Sequence, residues 1–153
     1  MNDPSTSAGP CSGSTLGLLF RQLRDAMWAR MERELAQAGH DLTFSQYIAI
    51  KKLADGTNAS VTDLARAADL NPGAMTRLLD KLEARGLLAR VADPRDRRAL
   101  HIHLTDAGRD LWRDVDQCGR RVRERAFHGM DEATRAQLTR LLEQARDNLL
   151  SPD

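Results

Sequence analysis

Three arginines fall within four positions, Arg95, Arg97 and Arg98, in the segment Ala92-Asp93-Pro94-Arg95-Asp96-Arg97-Arg98, and its Asp-Pro start is good turn chemistry. Guanidinium groups carried on the tip of a turn suit the binding of anionic oxygens, because each planar fork can make two parallel hydrogen bonds to phosphate or carboxylate. Asp96 stands among them and would repel phosphate. Its expected role is to pair with, and so orient, the guanidinium of Arg97 or Arg98. A second polar set lies upstream: Asn71, Gly73, Ala74, Thr76, Arg77 and Lys81, with Thr62 earlier in the chain. Its small residues let a backbone approach a surface closely. Thr and Arg are types that contact base edges and phosphates in a DNA groove. Around these residues charge is segregated. The net charge of the 153 residues is only +1, yet between Asn71 and Leu100 seven basic residues face four acidic ones. Such asymmetry lets a near-neutral protein bind nucleic acid.

Other chemistries find little support in the residues. His101 and His103 alternate on one side of a strand-like run, but no Cys or carboxylate stands at a metal-like spacing beside them, and no metal is expected. Two cysteines do not make a disulfide framework. Cys118 falls in an apolar stripe, where a small buried hydrophobe is expected, and Cys11 falls in a Ser-, Gly- and Pro-rich start. There is no Gly-rich phosphate loop, nucleophile elbow or metalloprotease motif, so neither an enzyme nor a bound cofactor is expected. No apolar run approaches the ~20 residues of a membrane span. The N-terminus lacks the regions of a signal peptide, so a cytoplasmic location and no membrane partner are expected.

The elements that must hold the two polar sets can be read from caps and periodicity. Residues 1–15 carry no periodic apolar face and read as a disordered tail. Leu16, Leu19, Phe20, Leu23, Met27, Met31 and Leu35 then form a helical stripe ending near Ala38. Thr43 with Gln46, and Ser60 with Asp63, are capping-box signatures that open two further helices, one to Ala54 and one to Ala68. Asn71 caps the next helix, Pro72 occupies its first position, and Gly86 ends it. Its apolar stripe is Met75, Leu78, Leu79 and Leu82, leaving Gly73, Thr76, Arg77, Asp80 and Lys81 on the polar side. Leu87–Val91 and Ala99–Leu104 are strands of a hairpin whose tip carries the arginines. Two long helices close the chain, one from Asp106 to Phe127 with Leu111, Val115, Cys118, Val122 and Ala126 apolar, and one after Asp131 with Leu138, Leu141, Leu142, Ala145 and Leu149 apolar.

Two short helices joined by a tight turn, the second with an exposed polar face, are a helix-turn-helix, and the basic hairpin adds a wing that reaches an adjacent minor groove. The capped helix, the Asp-x-Arg-Asp-Arg-Arg tip and the following Leu104-Thr105-Asp106-Ala107-Gly108 resemble the winged helix-turn-helix of the multiple antibiotic resistance regulator (MarR) family, over about residues 16–150. The fold expected is mainly α (α+β): a winged helix-turn-helix head over about 43–105, and a helical dimerisation region from about 16–38 and 106–150, within one domain over 16–153.

The resemblance implies a homodimeric regulator that binds a pseudo-palindromic double-stranded DNA operator, usually represses, and is released by a small, often anionic aromatic effector. It implies an effector cleft between the dimer-forming helices and the head. Arg24, Met27, Trp28, Met31, Tyr47 and Trp112 are the candidates to line it. Two alternatives stand beside this reading: a winged-helix module for protein partners, and a thiol-sensing regulator of the same family. Some relatives sense hydroperoxides with a Cys near the start of the first helix, where this chain has Gly17.

Overall fold

The computed structural model describes residues 13–56, 58–96, 98 and 100–152. Cys11, Arg97 and Ala99, and most of the expected N-terminal tail, lie outside the described residues. Six helices and one two-stranded antiparallel sheet follow in the order α1 (Gly13–Gln37), α2 (Phe44–Ala54), α3 (Val61–Ala67), α4 (Pro72–Ala84), β1 (Leu88–Ala92), β2 (Leu100–Leu104), α5 (Asp106–Ala126) and α6 (Glu132–Leu150). α1 starts at Gly13, three residues inside the segment expected to be a tail.

Side-chain caps set where helices begin. The hydroxyls of Thr43 and Ser60 accept the backbone N–H groups of Gln46 and Asp63, whose side chains return the bond to the cap backbone. Asn71 Oδ1 accepts the Ala74 N–H at 2.8 Å, and Asp131 Oδ1 accepts that of Thr134 at 2.8 Å. The helix ends of α1, α2 and α4 turn through Gly39, Gly56 and Gly86 at φ of 78°, 72° and 73°. α3 ends differently. Asp69, with φ 54°, takes the left-handed conformation that closes the helix-turn-helix corner, and Leu70 N–H then reaches the Ala65 carbonyl at 2.8 Å.

The core gathers one face of each of α1 to α5 with the sheet. Leu35, Ile50, Leu64, Met75, Leu79, Leu82, Leu88, Val115 and Cys118 are fully buried in it. Leu78, expected in the apolar stripe of α4, is only half-buried at its edge. The hairpin pairs Leu88 with Leu104 and Ala92 with Leu100. Its base is buried at Leu88, Ile102 and Leu104, and its far end, with Val91 and Leu100, stands in solvent.

The joint between hairpin and α5 explains the Leu-Thr-x-x-Gly segment. Thr105 Oγ1 donates to the Gly86 carbonyl at 2.6 Å and accepts the Gly108 N–H at 3.1 Å, while Thr105 N–H bonds the Leu87 carbonyl. Gly108 sits so close that a Cβ there would lie 1.9 Å from the Leu87 oxygen. One Thr and one Gly thus lock the end of α4, the hairpin and the start of α5 together.

Two apolar surfaces are left open. Leu16, Leu18, Leu19, Phe20 and Leu23 in the first half of α1 are exposed, and α6 has no buried residue at all, with Leu141 54% and Leu149 87% exposed. No helix among the described residues is long and apolar enough to cross a membrane.

Candidate nucleic-acid interface

The exposed face of α4 carries Gly73, Thr76, Arg77, Asp80 and Lys81, with Ala74 half-buried beside them. Thr62 is exposed on α3. Asn71 is occupied as the cap through its oxygen, and Thr76 Oγ1 donates to the Pro72 carbonyl at 2.9 Å, so its hydroxyl has only acceptor capacity left for an outside partner. Arg77 and Lys81 enter no ion pair among the described residues and are free for an anion.

The turn of the hairpin is shaped by its acids. Asp93 Oδ1 accepts the Arg95 backbone N–H at 2.7 Å, and Asp96 Oδ1 accepts that of Arg98 at 2.9 Å. These are Asx turns. Beside the role expected for Asp96, orienting the guanidinium of Arg97 or Arg98, its carboxylate also holds the peptide of Arg98. The exposed Arg95 and Arg98 flank this turn; Arg97, the residue between the two turns' ends, is outside the described residues.

Two side chains that sequence reasoning did not assign to the site frame it. Arg90 of β1, its side chain 18% exposed, holds both Asp80 and Glu83 of α4, the Glu83 contact being 2.7 Å. That contact keeps the Glu83 carboxyl below its usual range. His101 places Nε2 2.9 Å from Asp93 Oδ2 and Nδ1 2.9 Å from Asn58 Oδ1. The Arg95 N–H, and then His101, hold the Asp93 carboxyl below the ordinary range. Both ring nitrogens of His101 thus already face polar partners. Among the described residues no group of three His, Cys, Asp or Glu is arranged to hold a metal. Only the short i to i+3 spacing of Asp80 and Glu83, opposite a strand Arg, hinted at the first contact; the Asn58–His101 contact, 43 positions apart, left no local signal.

A cavity of about 430 Å³ opens between α1, α2 and α5. Arg24, Met27, Trp28, Met31 and Tyr47, five of the six expected effector residues, line it. Trp112 does not. It lies behind Tyr47, ring centroids 6.2 Å apart, at the end of a series running Phe44, Trp28, Tyr47, Trp112. Phe44, Lys51, Val122 and Arg123 join the lining and were not foreseen. Burial pushes the Tyr47 phenol up. The lining thus joins three cationic residues, Arg24, which also pairs with Asp25 at 2.9 Å, Lys51 and Arg123, to the aromatic rings of Trp28, Phe44 and Tyr47, a combination suited to a flat anion.

Below the cavity a buried carboxylate joins α1 to α5. Glu34, 4% exposed, meets Arg121 Nε at 2.6 Å and Arg30 Nη2 at 2.8 Å. Arg121, then Arg30, hold its carboxyl below the usual range. Cys118 lies against it, its Sγ 3.6 Å from the Glu34 carbonyl and 3.2 Å from Arg121 Nη2. Burial raises the Cys118 thiol despite the nearby guanidinium. A buried thiol so disposed is poorly reactive.

Comparison with known proteins agrees with this geometry. The MarR family model matches residues 40–99, from the start of α2 to the hairpin. The uncharacterized HTH-type transcriptional regulator YhbI of Bacillus subtilis is 33% identical over 99 residues; the match covers 61% of this chain and 64% of YhbI, under two thirds of that relative's length. Among solved structures, the transcriptional regulator PA3341 superposes with a TM-score of 0.77 at 31% identity, over 88% of this chain and 97% of PA3341. The regulator BpsR of Bordetella bronchiseptica, whose DNA binding is regulated by 6-hydroxynicotinic acid, superposes with a TM-score of 0.72 at 27% identity, over 91% and 99% of the two chains. A winged helix-turn-helix followed by a long α5 locked to it, with these matches, defines a transcriptional regulator rather than an enzyme. The chain belongs to the MarR family.

Proposed function

We propose that this chain is a homodimeric repressor that acts in the cytoplasm, binds a pseudo-palindromic DNA operator, and releases it when a small anionic aromatic ligand enters the cavity between α1, α2 and α5. The observation that carries the DNA reading is the union of two surfaces. The free Arg77 and Lys81 of α4 and the arginine-bearing turn of the hairpin are held in one frame by Arg90, so one face presents a helix for a major groove and a tip for the neighbouring minor groove. The residues proposed to touch DNA are Thr62, Asn71, Gly73, Ala74, Thr76, Arg77, Lys81, Arg95, Arg97 and Arg98, with Asp96 shaping the turn.

Support for a dimer comes from the open leucines of α1 and α6. Exposed leucines on two helices point to an interface, and a second copy is the economical cover. Two heads related by a twofold axis then read half-sites about one helical turn, ~34 Å, apart. Support for the ligand comes from the cationic and aromatic lining of the cavity, and from the relative BpsR, which answers to an aromatic acid.

Selection from a pool of random duplexes tests the reading. An inverted repeat should be enriched, should outcompete random duplex, and should lose affinity steeply as salt rises. Failure to enrich any duplex would leave the basic turn to a protein partner.

A further inference from the structure

The arginine-bearing turn sits at the far end of a two-stranded hairpin. Such a ribbon is marginally ordered on its own in water, and here its far end, at Val91, Ala92 and Leu100, is exposed. Something other than packing must fix where the turn points. A run of contacts does so from the side opposite α4. The Arg95 backbone N–H bonds Asp93 Oδ1, Asp93 Oδ2 faces His101 Nε2, and His101 Nδ1 faces Asn58 Oδ1. Asn58 stands two residues before Ser60, the cap of α3. The first helix of the helix-turn-helix is thus connected, through one imidazole, to the peptide that begins the basic turn.

We infer that His101 is a positioning residue for DNA binding: bridging Asn58 and Asp93, it holds the basic turn at a fixed angle to the helix-turn-helix, so that turn and α4 meet the duplex together. This rests on the DNA reading above. Arg90 secures the hairpin to α4 at its base, and His101 secures the turn to the α3 side, so the two contacts act on different parts of the hairpin. The reason the second one matters is entropic. A turn already ordered before association does not lose that freedom on binding, and the saving appears as affinity.

The test uses the full-length protein and a duplex enriched from the random pool, with Kd measured across a salt series for wild type, His101→Leu, Asn58→Ala and the double variant. Asn58 is exposed, so Asn58→Ala leaves the core untouched even if His101→Leu disturbs it. His101→Leu should raise Kd about tenfold, the size of one lost groove contact, and flatten the salt slope by about one unit, with Tm close to wild type. Asn58→Ala should give a smaller change of the same kind, and the double variant should be no worse than His101→Leu, because both act through one bridge. Wild-type Kd and slope in both single variants would overturn the inference while leaving the DNA reading intact, as would effects that simply add. If the wild type enriches no duplex, the DNA reading and this inference fall together.

Discussion

At the scale of single residues, neighbouring positions on α4 are committed to different tasks, and their substitutions should separate. Arg77 is exposed and enters no ion pair among the described residues, whereas Leu79 is fully buried. Arg77→Ala should cost about 1–3 kcal/mol in discrimination between operator and random duplex at nearly constant stability. Leu79→Ala should destabilise the fold by about 2–5 kcal/mol, read by denaturant titration. Equal weakening on all duplexes would make Arg77 a phosphate contact. Asp69 offers a gain. A non-glycine residue at φ 54° carries strain, so Asp69→Gly should raise stability by about 1 kcal/mol, less the added freedom of the unfolded chain. Acid should reveal the caps. Hydrogen bonds from the Ser60 hydroxyl, and then its backbone, hold the Asp63 carboxyl below its ordinary value. The stability this confers is present above about pH 4, the unfolded carboxylate range, and is lost as pH falls through the folded value, so Asp63→Asn should flatten the acid limb of an unfolding curve. Residue roles were legible where chemistry is local: Asn71 with Ala74, Thr43 with Gln46. They were not where a partner lies far along the chain, as with His101 and Asn58, 43 positions apart.

At the scale of elements, Gly108 concentrates the coupling between hairpin and α5. A Cβ at that position would meet backbone, the Leu87 carbonyl, which has no rotamer by which to yield. Gly108→Ala should therefore displace the start of α5 from the end of α4, lower Tm by several degrees and weaken duplex binding. Gly119→Ala is the matched control. Its Cβ would meet only the mobile end of Arg123 at 3.3 Å, and a helix interior favours Ala over Gly, so Tm should hold or rise. A Tm held or raised in both would show that Gly108 matters only as a helix glycine. The starts of α2, α3 and α4 follow directly from caps that the sequence spells out. The stripe of α1 was visible too, but periodicity alone does not say what covers it. Met31 and Leu35 enter the core of this chain, while Leu16, Leu18, Leu19, Phe20 and Leu23 stay exposed.

At the scale of the whole molecule, the open leucines and the cavity belong to one argument. If α1 and α6 hold two heads at operator spacing, deletion of Thr134 to Asp153 should yield a monomeric or aggregating chain that has lost two-headed binding, checked by sedimentation and by titration of full and half operators. A stable monomer that binds the full operator normally would sink the dimer reading. The cavity lies where α1 and α5 meet α2, that is, between the helices proposed to form the dimer and the head, so a ligand there would favour one spacing of the heads over another. Linkage then fixes a relation that needs no structural detail: whatever factor the ligand takes from operator affinity, the operator must take from ligand affinity. Trp28 lines the cavity and Trp112 lies one ring behind it, so their fluorescence reports occupancy directly. Titrating aromatic carboxylates against the protein, free and bound to operator, should give two affinities whose ratio equals the loss of DNA binding. Lys51→Ala and Arg123→Ala should each weaken the free-protein affinity while sparing operator binding in the absence of ligand. A ligand that quenches the tryptophans equally with and without operator would occupy the cavity without acting as the switch.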